Sequence, residues 1–403
     1  REAFVVGVIT VTVPTSDLTY PQEPIYYSTG IAGITGTSNF TPNVGQSLLD
    51  AQVRITRTDN GYQWDGVQYA DPSLYGGEIW VNATGSSSWS YSFPDNDTSQ
   101  PDGIELKIES RGRTNDRGFG NPSSPVIFRI DKSGPSVSLT SPGANSSNQS
   151  IQSITGSVSD NLSGIKWVQM QIQDSVDNVF DNGDDLYWSG LDDPGFLTSP
   201  TWFYVLESLG FTQANFDCSS GECSKKSISI ISRQIDTDPT PHLPQWTDGR
   251  KYKVLLRAAD MFDSVGGHIS TPTVRVFYYD ITAPTATLLN PPSLMSSPSD
   301  PNRIWLNSFT NLKVRTDDNV VDNVIGKRYV YYCIYEQGGS DKFGTGCESS
   351  PNPDYAVSSF APGTNPYDFD INVSTDWKAG FWYGMKIYVA DAAGNSTGTA
   401  ASP

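Results

Sequence analysis

The chain has 403 residues, enough for two to four domains, and it is acidic, with 26 Lys and Arg against 44 Asp and Glu and a formal net charge of −18. This balance argues against a nucleic-acid partner, because phosphate binding needs a basic face, but it suits bound calcium or a cationic partner. Charged residues make up only 17%, whereas Gly numbers 36, Pro numbers 27 and aromatic residues reach 12%, which is typical of an all-β protein with many turns. No apolar run approaches the roughly 18 to 20 residues of a membrane span.

The N-terminus begins at Arg1 and continues directly into a strand-like segment without the pattern of a secretory leader. We therefore expect the sequence to be a mature form or a fragment.

Three alternating runs of six residues, each closed by a proline, recur along the chain. They occupy residues 7–14, 135–142 and 284–291. Period-two alternation indicates a strand with one buried face, so each run is interpreted as the first strand, A, of a repeated unit. The spacing of the runs is about the length of one β-sandwich domain.

The later strands of each unit follow in the same order, separated by Gly, Pro, Asn and Asp. Strand B ends in 35–39, 155–161 and 314–319, and strand C covers 51–55, 167–172 and 329–334. An aromatic hairpin follows in two units, at 62–66 and 187–190. Strand E carries Trp89, Tyr91 and Phe93, then Trp202 and Tyr204, then Tyr367, Phe369 and Ile371. Strand F covers 104–108, 252–258 and 383–389, and strand G covers 126–131 and 274–280.

This repetition predicts an all-β protein of three tandem immunoglobulin-like β-sandwich domains. The predicted domains are 1–132, 133–282 and 283–403. The second contains an insertion at about 192–245.

The four cysteines form two close pairs. Cys218 and Cys223 flank a Ser/Gly turn, and Cys333 and Cys347 lie on segments that could form a hairpin. The even pairing predicts disulfides and an oxidising compartment, with four free thiols as the alternative. A zinc site is not expected, because the two histidines, His242 and His268, lack ligand-type spacing.

Several segments resemble the repeats called bacterial Ig-like domains. They are 131–135, 154–165, 280–284 and 390–395, with the pattern Asp-x-x-x-Pro, strand, Thr-Gly, Asp-Asn corner, and Ala-x-Asp-x-x-Gly-Asn. The resemblance is clearest in the second unit and loosest in the first, where the corner reads Ser38-Asn39. It implies an extracellular spacer, adhesive or assembly module without catalysis, and it does not specify a partner.

Calcium is the cofactor that this resemblance suggests, because members of the family often bind it at linkers and loop clusters. Asp131 and Asp280 occupy linker positions, with Asp160, Asp260 and Asp391 in nearby corners. A second acidic cluster surrounds a glycine and contains Asp174, Asp177, Asp181, Asp184 and Asp185. Carboxylates among Asn and Gly suit a hard, oxygen-binding cation, but such residues also serve as solvated turn formers.

Two further functions receive less support. An exposed aromatic platform for sugars would use Tyr62, Trp64, Tyr187, Trp188 and Trp246, although their recurrence also suits core packing. Catalysis is not expected, because the chain lacks a nucleophile elbow and a phosphate loop. Any acidic chain contains carboxylate pairs of the kind glycosidases use.

The third unit has no sequence that resembles strand G, whereas the N-terminus carries an extra apolar segment. One hypothesis is that residues 1–13 of one subunit complete the third unit of the next, giving a head-to-tail homopolymer. The core anchors would be Phe4, Val6 and Val8, or the alternate set Val5, Ile9 and Val11. The other hypothesis is a segment of a longer array that contacts adjoining domains.

The expected function is thus that of a non-enzymatic extracellular or cell-surface spacer or filament subunit. The alternative is an adhesin module that binds carbohydrate or a host surface protein.

Overall fold

The computed structural model of the chain describes residues 12–22, 26–27, 29–116, 118–192, 194–205, 226–232, 242–260, 268–290, 309–318, 327–336, 341–343, 354–359, 366–373, 377–381 and 383–397. Across these residues the chain is all-β, and its strands form three successive pairs of sheets. Each pair is called a sandwich below.

The first sandwich has a smaller and a larger sheet, together with a 3-10 helix at Pro72–Tyr75. In spatial order, the smaller sheet contains β1 (Thr15–Tyr20), β3 (Gly33–Asn39), β9 (Ser88–Ser92) and β8 (Thr84–Gly85). The larger contains β2 (Tyr26–Tyr27), β11 (Val126–Ile130), β10 (Glu105–Thr114), β4 (Leu48–Arg57), β5 (Gln63–Trp64) and β6 (Tyr69–Ala70), with β7 (Val81–Asn82) also paired to β4. β2 is parallel to β11, and the other pairs are antiparallel.

The second sandwich repeats this arrangement. Its smaller sheet contains β12 (Ser136–Ser141), β14 (Ser153–Ser159) and β19 (Lys226–Ser232). Its larger sheet contains β13 (Ser146–Asn148), β21 (Thr273–Tyr279), β20 (Arg250–Asp260), β15 (Ile165–Ser175), β16 (Leu186–Trp188) and β17 (Phe196–Leu197), with β18 (Phe203–Tyr204) paired to β15.

In the third sandwich the smaller sheet has three strands, as in the second, and the other sheet has four strands among the described residues. The smaller contains β22 (Thr285–Asn290), β23 (Asn311–Asp317) and β27 (Tyr367–Asn372). In the other sheet β24 (Lys327–Glu336) pairs with β25 (Asp341–Phe343), β26 (Asp354–Ser359) and β28 (Tyr383–Ala390).

Each sandwich encloses one apolar cluster drawn from both of its sheets. In the first, Ile34 from the smaller sheet meets Val53 and Leu106 from the larger, and all three are fully buried. The corresponding clusters of the second and third centre on Ile154 with Val254 and on Leu312 with Val330. This confirms the all-β sandwich fold that the strand pattern predicted. The predicted domain boundaries, and independent folding of the three units, stay predictions.

The structure changes the assignment of two strands. The strand of the first sandwich that pairs with β3 is β1, which follows Pro14, whereas the sequence placed strand A at 7–14, of which 7–11 lie outside the described residues. The ladders β1–β3, β12–β14 and β22–β23 each shift register just after a leucine, and these leucines are Leu18, Leu139 and Leu288. Pro14 therefore corresponds to the buried prolines that open the later A strands, Pro135 and Pro284.

The second change concerns strand E of the second sandwich, which was predicted at Trp202 and Tyr204. The strand that pairs with β14 is instead β19, within the predicted insertion, whereas Tyr204 lies in β18 on the opposite sheet. The prediction followed the aromatic residues, whereas the sequence of β19 contains none.

Close packing around Gly36 explains why a glycine follows Thr35 in the Thr-Gly part of the repeated pattern. A Cβ atom at Gly36 would collide with the ring of Trp89 and with the carbonyl oxygen of Asp17. Two neighbouring strands thus approach this position too closely for any side chain.

No helix in the described ranges is long and apolar enough to cross a membrane. Three of the cysteines, Cys218, Cys223 and Cys347, lie outside the described residues, as does the side chain of Cys333. Their pairing stays a prediction.

Replacing Leu106 by Ala tests the first core. We expect the free energy of unfolding to fall by about 2–5 kcal/mol, because a fully buried leucine is lost and a cavity remains. Urea denaturation followed by tryptophan fluorescence measures the change. If the first sandwich is an independent folding unit, only one transition of a multi-step curve shifts.

Val44→Ala is the matched control, because this loop side chain is fully exposed. Its effect is expected to stay within about 0.5 kcal/mol. Equal losses from both variants would contradict the assigned core.

Candidate functional site

The residue that follows the last strand of the first and second sandwiches is an aspartate, Asp131 after β11 and Asp280 after β21. Its main chain belongs to the preceding sandwich. The N–H of Asp131 donates to the carbonyl of Tyr27 at 2.8 Å, and that of Asp280 donates to Asn148 at 3.0 Å. These bonds extend the parallel pairing of β2 with β11 and of β13 with β21 by one residue.

The next residue of each linker is fixed by an aspartate in the turn before β10 or β20. The N–H of Lys132 donates to Asp102 Oδ1 at 2.6 Å, and that of Ile281 donates to Asp248 Oδ1 at 2.8 Å. Both linkers are therefore held by the preceding sandwich in the same way.

The linker aspartates Asp131 and Asp280 also contact the following sandwich. Asp131 Oδ2 accepts a hydrogen bond from the N–H of Ser163 at 3.0 Å, and the carbonyl of Asp280 accepts one from Asn395 Nδ2 at 3.0 Å. A single linker residue thus connects the backbone of one sandwich to the corner loops of the next.

Two further aspartates of the following sandwich lie beside each linker aspartate. At the first junction they are Asp160, after β14, and Asp260, at the end of β20. At the second they are Asp318, after β23, and Asp391, after β28. We call Asp131, Asp160 and Asp260 the first acidic junction and Asp280, Asp318 and Asp391 the second acidic junction.

Local turns hold the corner carboxylates in place. Asp160 Oδ2 accepts the N–H groups of Leu162 at 3.0 Å and Gly164 at 2.8 Å. Asp391 Oδ1 accepts those of Gly394 at 2.7 Å and Asn395 at 2.8 Å. Asx turns of this kind are what the Asp-Asn and Asp-x-x-Gly-Asn corners of the sequence favour.

The first acidic junction contains three carboxylates removed from water. Asp131 and Asp260 are fully buried and Asp160 is 5% exposed. Burial raises the pKa of Asp131 and of Asp160 above the usual aspartate range, and in Asp160 the neighbouring charges of Asp131 and Asp260 raise the pKa further. His268 Nδ1 lies 2.8 Å from Asp260 Oδ2.

The second acidic junction is more compact. One carboxylate oxygen from each of Asp280, Asp318 and Asp391 lies within 4.8 Å of the other two. Among the described residues, the first junction does not meet that distance. Burial raises the pKa of Asp391. Here Asn395 stands where the first junction has His268, since the carbonyl of each accepts a hydrogen bond from the N–H of the final aspartate, Asp391 or Asp260.

The donor set of both junctions fits a divalent cation. Several carboxylates cannot stay ionised out of water without a counter-charge, and Ca²⁺ binds carboxylate and carbonyl oxygens. Asp160 Oδ1 supports this fit, because it is fully buried and has no hydrogen-bond partner while Oδ2 makes both turn bonds. A cation there would be held by the side chains of the acidic junction.

The first sandwich lacks the equivalent acids at its own N-terminal end. Asn39 ends β3 as Ser159 ends β14, so Phe40 takes the place of Asp160. The bridge of Arg113 with Phe119 matches that of Ala259 with Ile269, so Thr114 takes the place of Asp260.

The structure does not bring the predicted loop acids Asp177, Asp181 and Asp184 together. Asp177 Oδ1 accepts the N–H of Val179 at 2.8 Å, Asp181 pairs with Lys253 at 2.8 Å, and Asp184 is exposed. The buried acids of this hairpin are Asp174 and Asp185, and Asp174 pairs with Arg250. A calcium site on the three predicted residues stays a prediction without a shared geometry.

The predicted aromatic platform does not form as a set. Trp64 and Trp188 are buried core residues, and their indole N–H groups donate to Tyr91 Oη at 2.8 Å and to the His242 carbonyl at 2.7 Å. Trp246 is half-buried and donates to the carbonyl of Ile151. The recurrence of these rings reflects packing between the sheets.

Sequence reasoning missed a pair of cation–aromatic contacts on the larger sheets. Arg111 lies 4.2 Å above Trp80, and Arg257 lies 4.0 Å above Trp202. Each arginine also donates twice to a glutamine of the neighbouring strand. The signal in the sequence that could have predicted these contacts is the arginine at matching positions of β10 and β20, Arg111 and Arg257.

The last strand of the third sandwich, β28, has a strand partner on one side only among the described residues. Its counterparts lie between two strands: β10 between β4 and β11, and β20 between β15 and β21. The counterpart tyrosines Tyr252 and Tyr383 define the alignment, because each phenol oxygen accepts an N–H bond at 2.9 Å from the residue five positions earlier.

The inward side chains of β28 are less covered than those of β20. In β20 three successive inward residues are fully buried, namely Tyr252, Val254 and Leu256. The counterparts in β28 are only partly buried, namely Tyr383, Met385 and Ile387. Within the described part of the chain, one edge of this sheet and part of the third core are therefore open along β28.

Ca²⁺ removal tests the acidic junctions. We expect excess EDTA to lower the Tm of the chain and millimolar Ca²⁺ to restore it, because a cation at 100 times its Kd stabilises by about 2.7 kcal/mol. The substitutions Asp160→Asn and Asp391→Asn should each reduce the Ca²⁺-induced shift. Differential scanning fluorimetry and titration calorimetry measure it.

Asp184→Asn is the matched control, since this acid is exposed and outside both junctions. It should keep the full Ca²⁺ response. An identical response in all three variants would contradict the assignment.

Comparison with known proteins gave structural matches only. No family model matches the sequence, and no curated protein does. The chain is similar to a bacterial ice-binding adhesin of 1.5 MDa, with 12% identity, 96% of this chain and 95% of that chain covered, and a TM-score of 0.29. It is also similar to a tandem repeat from the extending region of a large adhesion protein, with 13% identity, 96% of this chain and 72% of that chain covered, and a TM-score of 0.26. A third match is to the FN1–FN3 domains of chicken CNTN1, with 11% identity, 95% of this chain and 94% of that chain covered, and a TM-score of 0.23. Scores this low establish neither a shared arrangement of sandwiches nor a shared function.

Proposed function

We propose that this chain is a non-enzymatic extracellular structural protein, a surface spacer or filament subunit that assembles head to tail by strand complementation. The observation that carries the proposal is the open edge of β28 with its partly exposed inward face. An unpaired strand edge beside apolar core residues is a template for a strand from elsewhere.

The complementing strand is residues 1–13. In the first two sandwiches the strand beside β10 or β20 runs through a short linker to a buried proline, Pro135 or Pro284. Pro14 holds the equivalent position before β1, so the residues ahead of it correspond to such a strand with its linker. Residues 4–13 are apolar apart from glycine and threonine, as a strand that covers a core requires.

Subunit contact of this kind is heterologous, because the donor segment and the acceptor edge lie on different parts of the molecule. Contacts of this type propagate into a filament when rotation does not close them into a ring. A row of sandwiches is thus extended by the same kind of strand pairing that β11 and β21 make within the chain.

The acidic junctions contribute stiffness to the rod. A cation between the linker aspartate and the two corner aspartates would fix the angle between neighbouring sandwiches, because the linker backbone is already bonded to the preceding sheet. Without the cation, repulsion among the carboxylates favours an open junction.

Adhesion to carbohydrate remains the alternative from another class. It has no specific observation in its favour, since the three tryptophans expected to form a platform, Trp64, Trp188 and Trp246, pack in or against the cores of the sandwiches.

The polymerisation test compares the full chain with a form that lacks residues 1–13. We expect long threads from the full chain and monomers from the shortened form, because the acceptor edge then has no partner strand. Size-exclusion chromatography with light scattering and negative-stain microscopy measure both.

Circular dichroism of the shortened form controls for folding, since β1 and the rest of the first sandwich are retained. Monomers from both forms would refute assembly between copies. The open edge would then be left to an adjoining segment of a longer array.

A further inference from the structure

The strand beside β20 places an aromatic ring into a frame of two others. Phe277 lies 5.4 Å from Trp246 and 5.7 Å from Tyr252, with the tyrosine ring stacked on it. Trp246 and Tyr252 themselves meet edge to face at 4.8 Å. All three rings belong to the end of the core at which the strand leaves for the linker.

The third sandwich repeats the frame. Trp377 and Tyr383 meet edge to face at 4.7 Å. The Trp377 indole N–H donates to the carbonyl of Phe309, as that of Trp246 donates to Ile151. The ring of Phe309 lies 5.7 Å from Trp377, but among the described residues no ring lies against both Trp377 and Tyr383 as Phe277 lies against both Trp246 and Tyr252. We call the space beside Trp377 and Tyr383 the aromatic socket.

Register defines which residue of an added strand would reach the aromatic socket. Phe277 is paired with Tyr252, and Phe128 is paired with Leu106, the residue of β10 that corresponds to Tyr252. A strand added to β28 in this register therefore presents one residue opposite Tyr383. Both existing sandwiches use a phenylalanine there, and both phenylalanines are fully buried.

Two residues of the N-terminal segment compete for this position. Phe128 and Phe277 both lie seven residues before the strand-opening prolines Pro135 and Pro284, and the same spacing from Pro14 gives Gly7. Glycine would leave the socket without a side chain, so its lining would lose the contacts that the ring makes in the second sandwich. The only aromatic residue in 1–13 is Phe4.

We infer that Phe4 occupies the aromatic socket of the third sandwich of a neighbouring copy. This inference rests on the proposed strand exchange and specifies its register. Alternation then turns Val6 and Val8 toward the core and Val5, Gly7 and Ile9 away from it. Of the two anchor sets compatible with the sequence, the socket selects the one that contains Phe4.

The register has a consequence for the joint between subunits. Moving the anchor from Gly7 to Phe4 adds three residues between the inserted ring and Pro14, relative to both internal linkers. The segment that follows Phe4 up to Pro14 contains no carboxylate, and Phe40 and Thr114 stand in the corners of the first sandwich. The joint between copies is longer than the internal junctions and lacks their acidic triad.

The experiment compares four full-length proteins: wild type, Phe4→Ala, Val5→Ala and the double variant Phe4→Ala/Gly7→Phe. The concentration at half-assembly, by light scattering, is the measurement. We expect Phe4→Ala to raise it by at least about tenfold, and Val5→Ala to change it by less than about twofold. The double variant should assemble no better than Phe4→Ala, because residue 7 faces away from the socket.

Other outcomes separate this inference from the proposed function. Suppose that the wild type forms threads. Normal assembly of Phe4→Ala together with loss of assembly in Val5→Ala would then overturn the Phe4 register while leaving strand exchange intact. Rescue of the Phe4→Ala variant by Gly7→Phe would do the same. If wild type is monomeric, a fluorescent synthetic peptide of residues 1–13 is titrated against it. Tight binding that is lost in the Phe4→Ala peptide supports the socket with a strand supplied by another route, and no binding by either peptide overturns both proposals.

Discussion

Each core contains one long strand, β10, β20 or β28, whose inward side chains must be covered by a neighbouring strand on each side. The rest of this molecule depends on that constraint. Strand β11 or β21 pairs with β10 or β20, buries the inward side chains of that neighbour and continues directly into the linker. Where both neighbours are present, Tyr252, Val254 and Leu256 are inaccessible to water. Where one is missing from the described residues, the same positions are partly exposed. Core closure and the connection between sandwiches are thus one structural feature.

The linker aspartates show how closure passes into connection. Asp131 and Asp280 extend the pairing of the closing strand by one bond, and the same residues contact the corner loops of the next sandwich. Burial of three carboxylates at such a point is costly unless a cation or a proton compensates. The proposed structural role would account for that cost, because a cation held between two sandwiches would restrict the hinge that a bare linker leaves.

The proposed strand exchange between copies would use the same position in the third sandwich. The first two sandwiches supply the strand in cis, whereas β28 has a strand partner on one side only among the described residues. The edge-to-face pair of Trp377 with Tyr383 matches the pair of Trp246 with Tyr252 beside Phe277. Assembly would then require no new kind of surface. It would repeat an internal contact between molecules, with Phe4 supplying the missing ring.

The sequence by itself determined the fold class, the order of most strands and the positions of most linker and corner acids, although it did not single out Asp318. Period-two alternation, turn residues and the repeated Asp-Asn and Gly-Asn corners report local requirements, so Asp131, Asp160 and Asp391 could be identified from pattern alone. The tertiary structure decided what depends on strand pairing. It placed β19 rather than Trp202 and Tyr204 beside β14, and it moved the first strand to β1, because hydrogen-bonded register and not composition defines a neighbour. It also separated the buried acids of the junctions from the loop acids Asp177, Asp181 and Asp184, which share the same composition but have other partners or remain in solvent. Burial and mutual distance are properties of the packed sheets, and no spacing along the chain encodes them.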